Sequence, residues 1–361
     1  MPSTARIAAF DILRKVESGG RASDLLLERT AAFDSRDAGL ASEIVFGVLR
    51  RRAQLDYIIG SNSSRRKLDP EVRIALRMGI YQLRSLERIP PHAAVTDAVD
   101  LVKRAHKRSA AGFVNAMLRQ VDRDPVPWPN REVELSCPEW LLARWEAHYG
   151  AEIAAGIARA ALREPEKYVR AGRAGCRIQD IGSQSIVPLL RLEPGQTFLD
   201  LCAAPGNKTA QALEAGVRAI ACDLRFHRLS QLKGIGADLV VLDGTRPLPF
   251  ARRFHRILVD APCSGTGTLG RNPEIKWRLA PPDLEDLHRR QTALLANARA
   301  ALAPGGLLVY STCSLEPEEN ERVVAGVPPE LVVEVMRRIP GRDPGDGFYA
   351  AVIKSDQPAN G

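Results

Sequence analysis

Thr197-Phe198-Leu199-Asp200-Leu201-Cys202-Ala203-Ala204-Pro205-Gly206-Asn207-Lys208-Thr209 reads as a short apolar strand, a turn of small residues and the start of a helix. From this point the pattern is regular. Short apolar runs at 197–202, 218–223, 238–243, 255–260 and 305–311 alternate with helical stretches near 207–215, 225–233, 283–302 and 317–325. Such alternation predicts a mostly parallel sheet covered by helices on both faces, an α/β Rossmann-like arrangement. Two further strands, 331–335 and 348–354, have no helix between them and predict an antiparallel pair at the sheet edge.

Upstream the period changes. Over residues 1–123 apolar residues recur at three and four, as in Ile7, Phe10, Leu13 and Leu40, Ile44, Val48, which predicts an all-helical domain. Thr96 before Asp97 is expected to cap a helix. The proline-dense stretch Asp124–Asn130 marks a linker, and residues 139–162 return to helix with Trp140, Leu141, Trp145, Tyr149 and Ile153 as the apolar face. The expected organisation is a helical domain at 1–123, a linker segment at 124–177 and a sheet domain at 178–356.

The chain has 361 residues and a formal net charge of +8. Residues 1–150 carry +5, residues 151–300 carry +7 and residues 301–361 carry −4. The excess is mostly arginine, which suits a polyanionic partner, although solvated arginine faces account for the charge equally well. No run approaches a membrane span, and the first 27 residues lack the apolar core of a signal peptide. Of the cysteines at 137, 176, 202, 222, 263 and 313, none forms a CxxC pair or has a histidine at zinc-finger spacing. The expectation is a cytoplasmic protein without a structural metal or disulfide framework.

The turn at 202–208 is neither GxGxxG nor GxxxxGK[ST], which disfavours NAD and ATP. Small residues admit a ligand to the backbone, and Asp223, Asp243 and Asp260 close successive strands. A carboxylate after the second strand can hold ribose hydroxyls, and one after the third can accept from an adenine amine. Together they describe an adenosine cofactor without a pyrophosphate, and S-adenosylmethionine fits. Taken alone, Asp243-Gly244 is more simply a turn.

Cys263 and Cys313 also follow apolar strands, in Asp260-Ala261-Pro262-Cys263-Ser264-Gly265 and Ser311-Thr312-Cys313-Ser314. Ligands of open α/β sheets bind at such strand ends. Two thiols and a carboxylate there suit addition of a thiolate to C6 of a pyrimidine, which makes C5 nucleophilic. Pattern alone leaves open which cysteine attacks. Cys202 and Cys222, on strands, read as small buried hydrophobes. The loop residues Arg271, Asn272, Lys276 and Trp277 could grip a flipped nucleotide or form a packed lid. Lys208 could orient a cysteine, meet RNA phosphate or sit solvated.

These motifs, with Arg271–Trp277, resemble the NOL1/NOP2/Sun RNA cytosine-5 methyltransferases, and most closely the bacterial RsmB (Fmu/Sun) type. Pro91–Val95 and Ala111–Arg119 resemble the NusB-like helical domain of that type. The resemblance spans 1–123 and 178–354. It implies a class I S-adenosylmethionine-dependent methyltransferase acting on RNA, 16S ribosomal RNA above all, not on DNA, and working as a monomer. It also implies that Cys202, Ala203, Ala204, Pro205, Gly206, Asn207, Lys208, Asp223, Asp243 and Asp260 hold the cofactor, that Cys313 is the nucleophile and that Cys263 assists product release. Asp260, protonated, would hydrogen-bond N3 of the base. The family loop has Gly-Gly-Lys where this chain has Gly206-Asn207-Lys208, so Asn207 is expected to carry the positive φ of the turn. A small α/β subdomain usual in the family is mostly missing between Lys167 and Asp180. Alternative readings are a methyltransferase for tRNA or a small amine, and a degenerate RNA-binding protein.

Overall fold

Helices α1 (Thr4–Glu17), α2 (Ala22–Thr30), α3 (Ser35–Arg50), α4 (Arg52–Ser61), α5 (Pro70–Ser85), α6 (Pro91–Arg104) and α7 (Ala111–Arg119) follow one another from the N-terminus. Their apolar stripes meet in one core that includes Phe10, Ile44, Leu76, Met78, Ile80 and Leu101. Polar groups at its margin are paired: Arg77 donates to both oxygens of Asp56 at 2.7 Å and to Glu17 at 2.7 Å. The expected cap at Thr96 is corrected, because α6 opens at Pro91 and carries Thr96 in its interior. A proline at the first helical position has no N–H to leave unpaired, so the Pro90-Pro91 pair starts this helix rather than breaking the chain.

The computed structural model describes residues 2–61, 68–172 and 175–357. Residues 62–67, inside the stretch read as helical, lie outside the described residues.

Helices α8 (Arg131–Glu134), α9 (Glu139–Tyr149) and α10 (Ala151–Ala161) come next. The single helix expected over 139–162 is divided at Gly150, whose φ of +86° ends α9. The break restarts the helical phase. Leu141, Leu142 and Trp145 are buried on α9, and Ala154, Ile157, Ala158 and Ala161 on α10, while Trp140, Tyr149 and Ile153 are only half-buried.

A two-stranded antiparallel ribbon, β1 (Val169–Gly172) with β2 (Gly175–Ile178), precedes the sheet. There follow α11 (Ile181–Gln184), β3 (Thr197–Asp200), α12 (Asn207–Leu213), β4 (Arg218–Asp223), α13 (Phe226–Leu229), β5 (Asp238–Val241), β6 (Phe254–Asp260), α14 (Ile275–Arg278), α15 (Pro281–Ala300), β7 (Leu302–Thr312), α16 (Glu321–Val324), β8 (Val332–Arg338) and β9 (Phe348–Lys354). The sheet order is β5-β4-β3-β6-β7-β9-β8. Strands β3 to β7 pair in parallel, and β9 runs antiparallel to both β7 and β8. The expected doubly covered α/β sheet with an antiparallel edge is therefore present.

The two-residue period of a strand splits each apolar run between two cores. Leu199, Ile257, Val259, Leu308 and Tyr310 face one way, against Leu294, Leu295 and Ala298 of α15. Phe198, Leu258, Val309 and Val352 face the other, against Ile186 and Leu190. Each such aliphatic side chain fully withdrawn from water stabilises the fold by about 1.5–3 kcal/mol.

Two compact units result: residues 1–164 with 269–278, and residues 165–268 with 279–361. After β6 the chain thus gives ten residues to the helical unit before resuming the sheet. Within the helical unit Trp277 Nε1 donates to Leu49 O at 2.7 Å, Lys276 Nζ to Arg50 O at 2.9 Å, and Arg50 Nε to Gly270 O at 3.0 Å. Lys276 is 1% exposed, and burial pulls its pKa down to about 8. These bonds pack the segment within the helical unit, so Lys276 and Trp277 are not free there as a nucleotide grip.

Candidate active site

The strand order reverses between β3 and β6. Chain after β3 proceeds outward through β4 and β5, then returns to β6 on the other side of β3. The carboxyl ends of β3 and β6 therefore border the crevice where open α/β sheets bind ligands. Four predicted side chains gather there. Lys208, in the first turn of α12, donates through Nζ to Asp260 Oδ2 at 2.7 Å. Asp260, at the end of β6, also accepts from Ser311 Oγ at 2.8 Å. Cys263 and Cys313, on the loops after β6 and β7, stand with Sγ–Sγ at 3.3 Å.

Charge is distributed unevenly over this cluster. Burial works against the Lys208 ammonium, but Asp260, Cys313 and Asp200 outweigh it and hold its pKa above the ordinary lysine value. Lys208 also lies 5.3 Å from the Phe348 ring centroid. The hydrogen bond to Cys313, reinforced by burial and by the negative charges of Cys313 and Glu319, pushes the Cys263 thiol well above its usual pKa. Either thiol can act as the donor across this contact. Asp260 thus accepts from an ammonium and a hydroxyl.

The loop from Cys202 to Lys208 leaves β3 and enters α12. Its positive φ, +101°, lies at Gly206, the N-cap residue, while Asn207 is the first helical residue. Asn207 is therefore relieved of the left-handed role expected of it, and the change from Gly-Gly-Lys leaves the turn intact. Ala203 N donates to Cys222 O at 2.8 Å and Gly206 N to Ala203 O at 2.7 Å. Cys202 is held well above its usual thiol pKa by burial, and Cys222 is pushed up to about 12 for the same reason, so both remain neutral and packed.

The acidic series divides. Asp223 is buried, with Oδ1 accepting from Arg225 N at 2.9 Å and Oδ2 no closer than 4.0 Å to Arg228. Asp243 lies beyond the end of β5 and closes its own turn, accepting from Thr245 N at 3.0 Å and Thr245 Oγ1 at 2.6 Å, which lower its pKa. Its Oδ2 lies 3.5 Å from Arg246.

A model of the 16S rRNA methyltransferase RsmB/F matches residues 187–328, and a NusB family model matches residues 3–123. Ribosomal RNA small subunit methyltransferase B of Citrobacter koseri is 31% identical over 424 residues, covering 96% of this chain and 98% of that protein. The Cronobacter sakazakii protein of the same name is 31% identical over 421 residues, with the same coverage. The chain belongs to the RsmB/F methyltransferase family. As a member it is an S-adenosylmethionine-dependent RNA methyltransferase. The fold is also that of the crystal structure of PH0851, at TM-score 0.79 and 22% identity over 98% of this chain and 99% of that one. A methyltransferase homolog protein from Pyrococcus horikoshii matches 62% of this chain and 97% of its own at TM-score 0.52 and 24% identity. Alignments of 424 residues against a chain of 361 mean that these RsmB/F relatives carry segments lacking here. The β1–β2 ribbon lies in the stretch between Lys167 and Asp180 where most of the family's small subdomain is read as missing.

The crevice fits the family's cofactor on one observation above others. Asp200 is 1% exposed; its Oδ2 accepts from Thr209 Oγ1 at 2.7 Å, but its Oδ1 has no hydrogen-bond partner. A buried acceptor without a donor is costly, and a bound amine or hydroxyl would satisfy it. Leu224 and Phe226, 63% and 67% exposed beside Asp223, offer apolar cover for an aromatic ring. Asp200 was absent from the expected set. Its signal was present, since it closes its strand as Asp223 and Asp260 close theirs.

Burial raises the Asp200 pKa to about 7. The unfolded chain ionises this group near pH ~3.9. Between these values the folded state binds more protons than the unfolded one, so its contribution to stability falls as pH rises through the window and is level above it. Asp200→Asn is therefore expected to raise the melting temperature of the ligand-free chain at pH 8 but not at pH 4. It should also weaken S-adenosylmethionine binding by about tenfold or more, since the amide cannot replace the missing acceptor charge. Melting curves at both pH values and titration calorimetry check this; an unchanged pH slope argues against it.

Proposed function

We propose that this chain methylates C5 of a cytosine in 16S ribosomal RNA, with Cys313 as nucleophile. The observation that carries the reading is the 3.3 Å cysteine pair beside the Lys208–Asp260 ion pair. C5 of cytosine is a poor nucleophile. Addition of the Cys313 thiolate to C6 saturates the C5–C6 bond and places enamine character on C5. Asp260, hydrogen-bonded to the Lys208 ammonium, would pass a proton from that ammonium to N3 as the thiolate adds and take it back when the ring is restored. The Cys202–Lys208 loop with Asp200, Asp223 and Asp243 would hold S-adenosylmethionine, which would supply the electrophilic methyl group. After alkylation the C5 proton departs to water and the C6–S bond breaks, restoring the aromatic ring. Cys263, a neutral thiol in contact with Cys313 sulfur, donates a proton to the departing thiolate.

The helical domain, residues 1–123, is read as the RNA-binding module, and residues 178–356 as the catalytic one. The net charge of +8 supports a polyanionic substrate. The names of the RsmB/F relatives support the small-subunit ribosomal RNA over tRNA or DNA. The reading also takes the chain to be a cytoplasmic monomer. Among the described residues no helix is long and apolar enough to cross a membrane.

Bisulfite sequencing of RNA from a deletion strain tests this. One 16S cytosine protected in the parent strain should become convertible in the deletion and be protected again by the plasmid-borne gene. An unchanged 16S pattern, or a change confined to tRNA, refutes the substrate assignment.

A further inference from the structure

Glu319 is a carboxylate with 0% exposure, and no cation pairs with it among the described residues. It accepts instead from neutral donors on both cysteine loops. Ser264, next to Cys263, gives its backbone N–H to Oε1 at 2.8 Å and its hydroxyl to Oε2. Ser314, next to Cys313, gives its hydroxyl to the same Oε2. Gln291 of α15 donates to Oε1 at 3.0 Å and to Pro262 O at 2.9 Å. The carbonyl of Glu319 accepts from Tyr310 OH at 2.6 Å. Removing a carboxylate from water without a counter-ion costs several kcal/mol in general, and such a cost marks a site where geometry or charge is needed.

We propose that Glu319 is the positioning residue of the cysteine pair: it locks the loops of Cys263 and Cys313 together and keeps the proton between them on Cys263. The charged and titratable groups around the pair are arranged for this. The charge of Glu319 acts on Cys263. The Lys208 ammonium, paired with Asp260, acts on Cys313. Glu319 reaches the loops of both thiols through Ser264 and Ser314, so its loss should alter the pair as a whole. This inference rests on the reading of Cys313 as nucleophile and names what enforces it.

The test is Glu319→Gln in the full chain, read first without RNA. Iodoacetamide at pH 8 followed by peptide mass spectrometry gives the labelling rates of the two thiols. The wild-type chain should favour Cys313, and Glu319→Gln should reduce that preference by at least about tenfold. In turnover with an RNA transcript, kcat should fall by about tenfold or more while KM for RNA changes by less than about threefold. Unchanged labelling preference together with unchanged kcat overturns the proposal. Should Glu319→Gln melt below the assay temperature, Ser264→Ala with Ser314→Ala removes both hydroxyl donors and leaves the carboxylate. An unchanged kcat in that variant overturns the proposal equally. Because labelling requires no substrate, a shifted preference in a chain that methylates no RNA refutes the function and leaves the role of Glu319 standing.

Discussion

Cys313→Ala should lower RNA methylation by at least about 10⁴-fold and form no covalent complex with RNA, because removing a nucleophile leaves only binding and electrostatics to act. Cys263→Ala should behave differently. It retains the sulfur that bonds C6 but lacks the thiol that protonates the leaving group. RNA should therefore become trapped on the protein, visible as a slow band on a denaturing gel that nuclease removes. The contrast takes its direction from the reading of Cys313 as nucleophile, with the Cys263 sulfur 3.3 Å away to supply the proton. The reverse result, trapping in Cys313→Ala and none in Cys263→Ala, would exchange the two roles. Substrate containing 5-fluorocytosine sharpens the assay, because fluorine at C5 cannot depart as a proton does. The wild-type chain should be trapped on it, and Cys313→Ala should not.

Lys208 is expected to give the second large effect. Its ammonium and Asp260 are 11% and 29% exposed at 2.7 Å, so water is a poor substitute partner for the ammonium and a partial one for the carboxylate. Breaking a buried pair by removing one member costs about 3–5 kcal/mol, and the partial exposure of Asp260 places this pair at about the lower figure. Lys208→Met should destabilise the chain accordingly and reduce kcat by about 10²–10³-fold, the range for loss of a preorganised charge beside a developing one. Asp260→Asn should destabilise by a similar amount, because it strands the ammonium. The double variant should be less damaged than the sum of the two, by about 2 kcal/mol in urea melts. Additive losses, or a stable and active Lys208→Met, would show that the pair does no more than any surface contact.

The parallel strands were legible because a strand buried on both faces must be apolar throughout; Ile257-Leu258-Val259 leaves little else to read. Their ends were less so. The run 238–243 stops pairing at Val241, since Asp243 turns the chain with its own side chain. The two thiols and the carboxylates could be placed at strand ends from the sequence, but which groups pair could not. Lys208 looked equally like a solvated helix-start lysine, and only the reversal of strand order brings it to Asp260. Glu319 gave no local signal, because a glutamate in Glu316-Pro317-Glu318-Glu319-Asn320 reads as surface until the fold buries it. Thr96 and the 139–162 helix failed for a different reason. Pro91 and Gly150 each admit two local outcomes, and neighbouring packing selects one.

The ten residues 269–278 pack with residues 1–164, although residues of the sheet unit flank them on both sides in the sequence. No single crossover in the gene can therefore exchange one half for a foreign counterpart. A recombinant that replaced residues 1–164 alone would keep Ile275 and Lys276 without the surroundings they were selected for. Inheritance must treat the two halves as one locus, and a substitution at Leu49 or Arg50 is answerable to changes more than two hundred positions downstream.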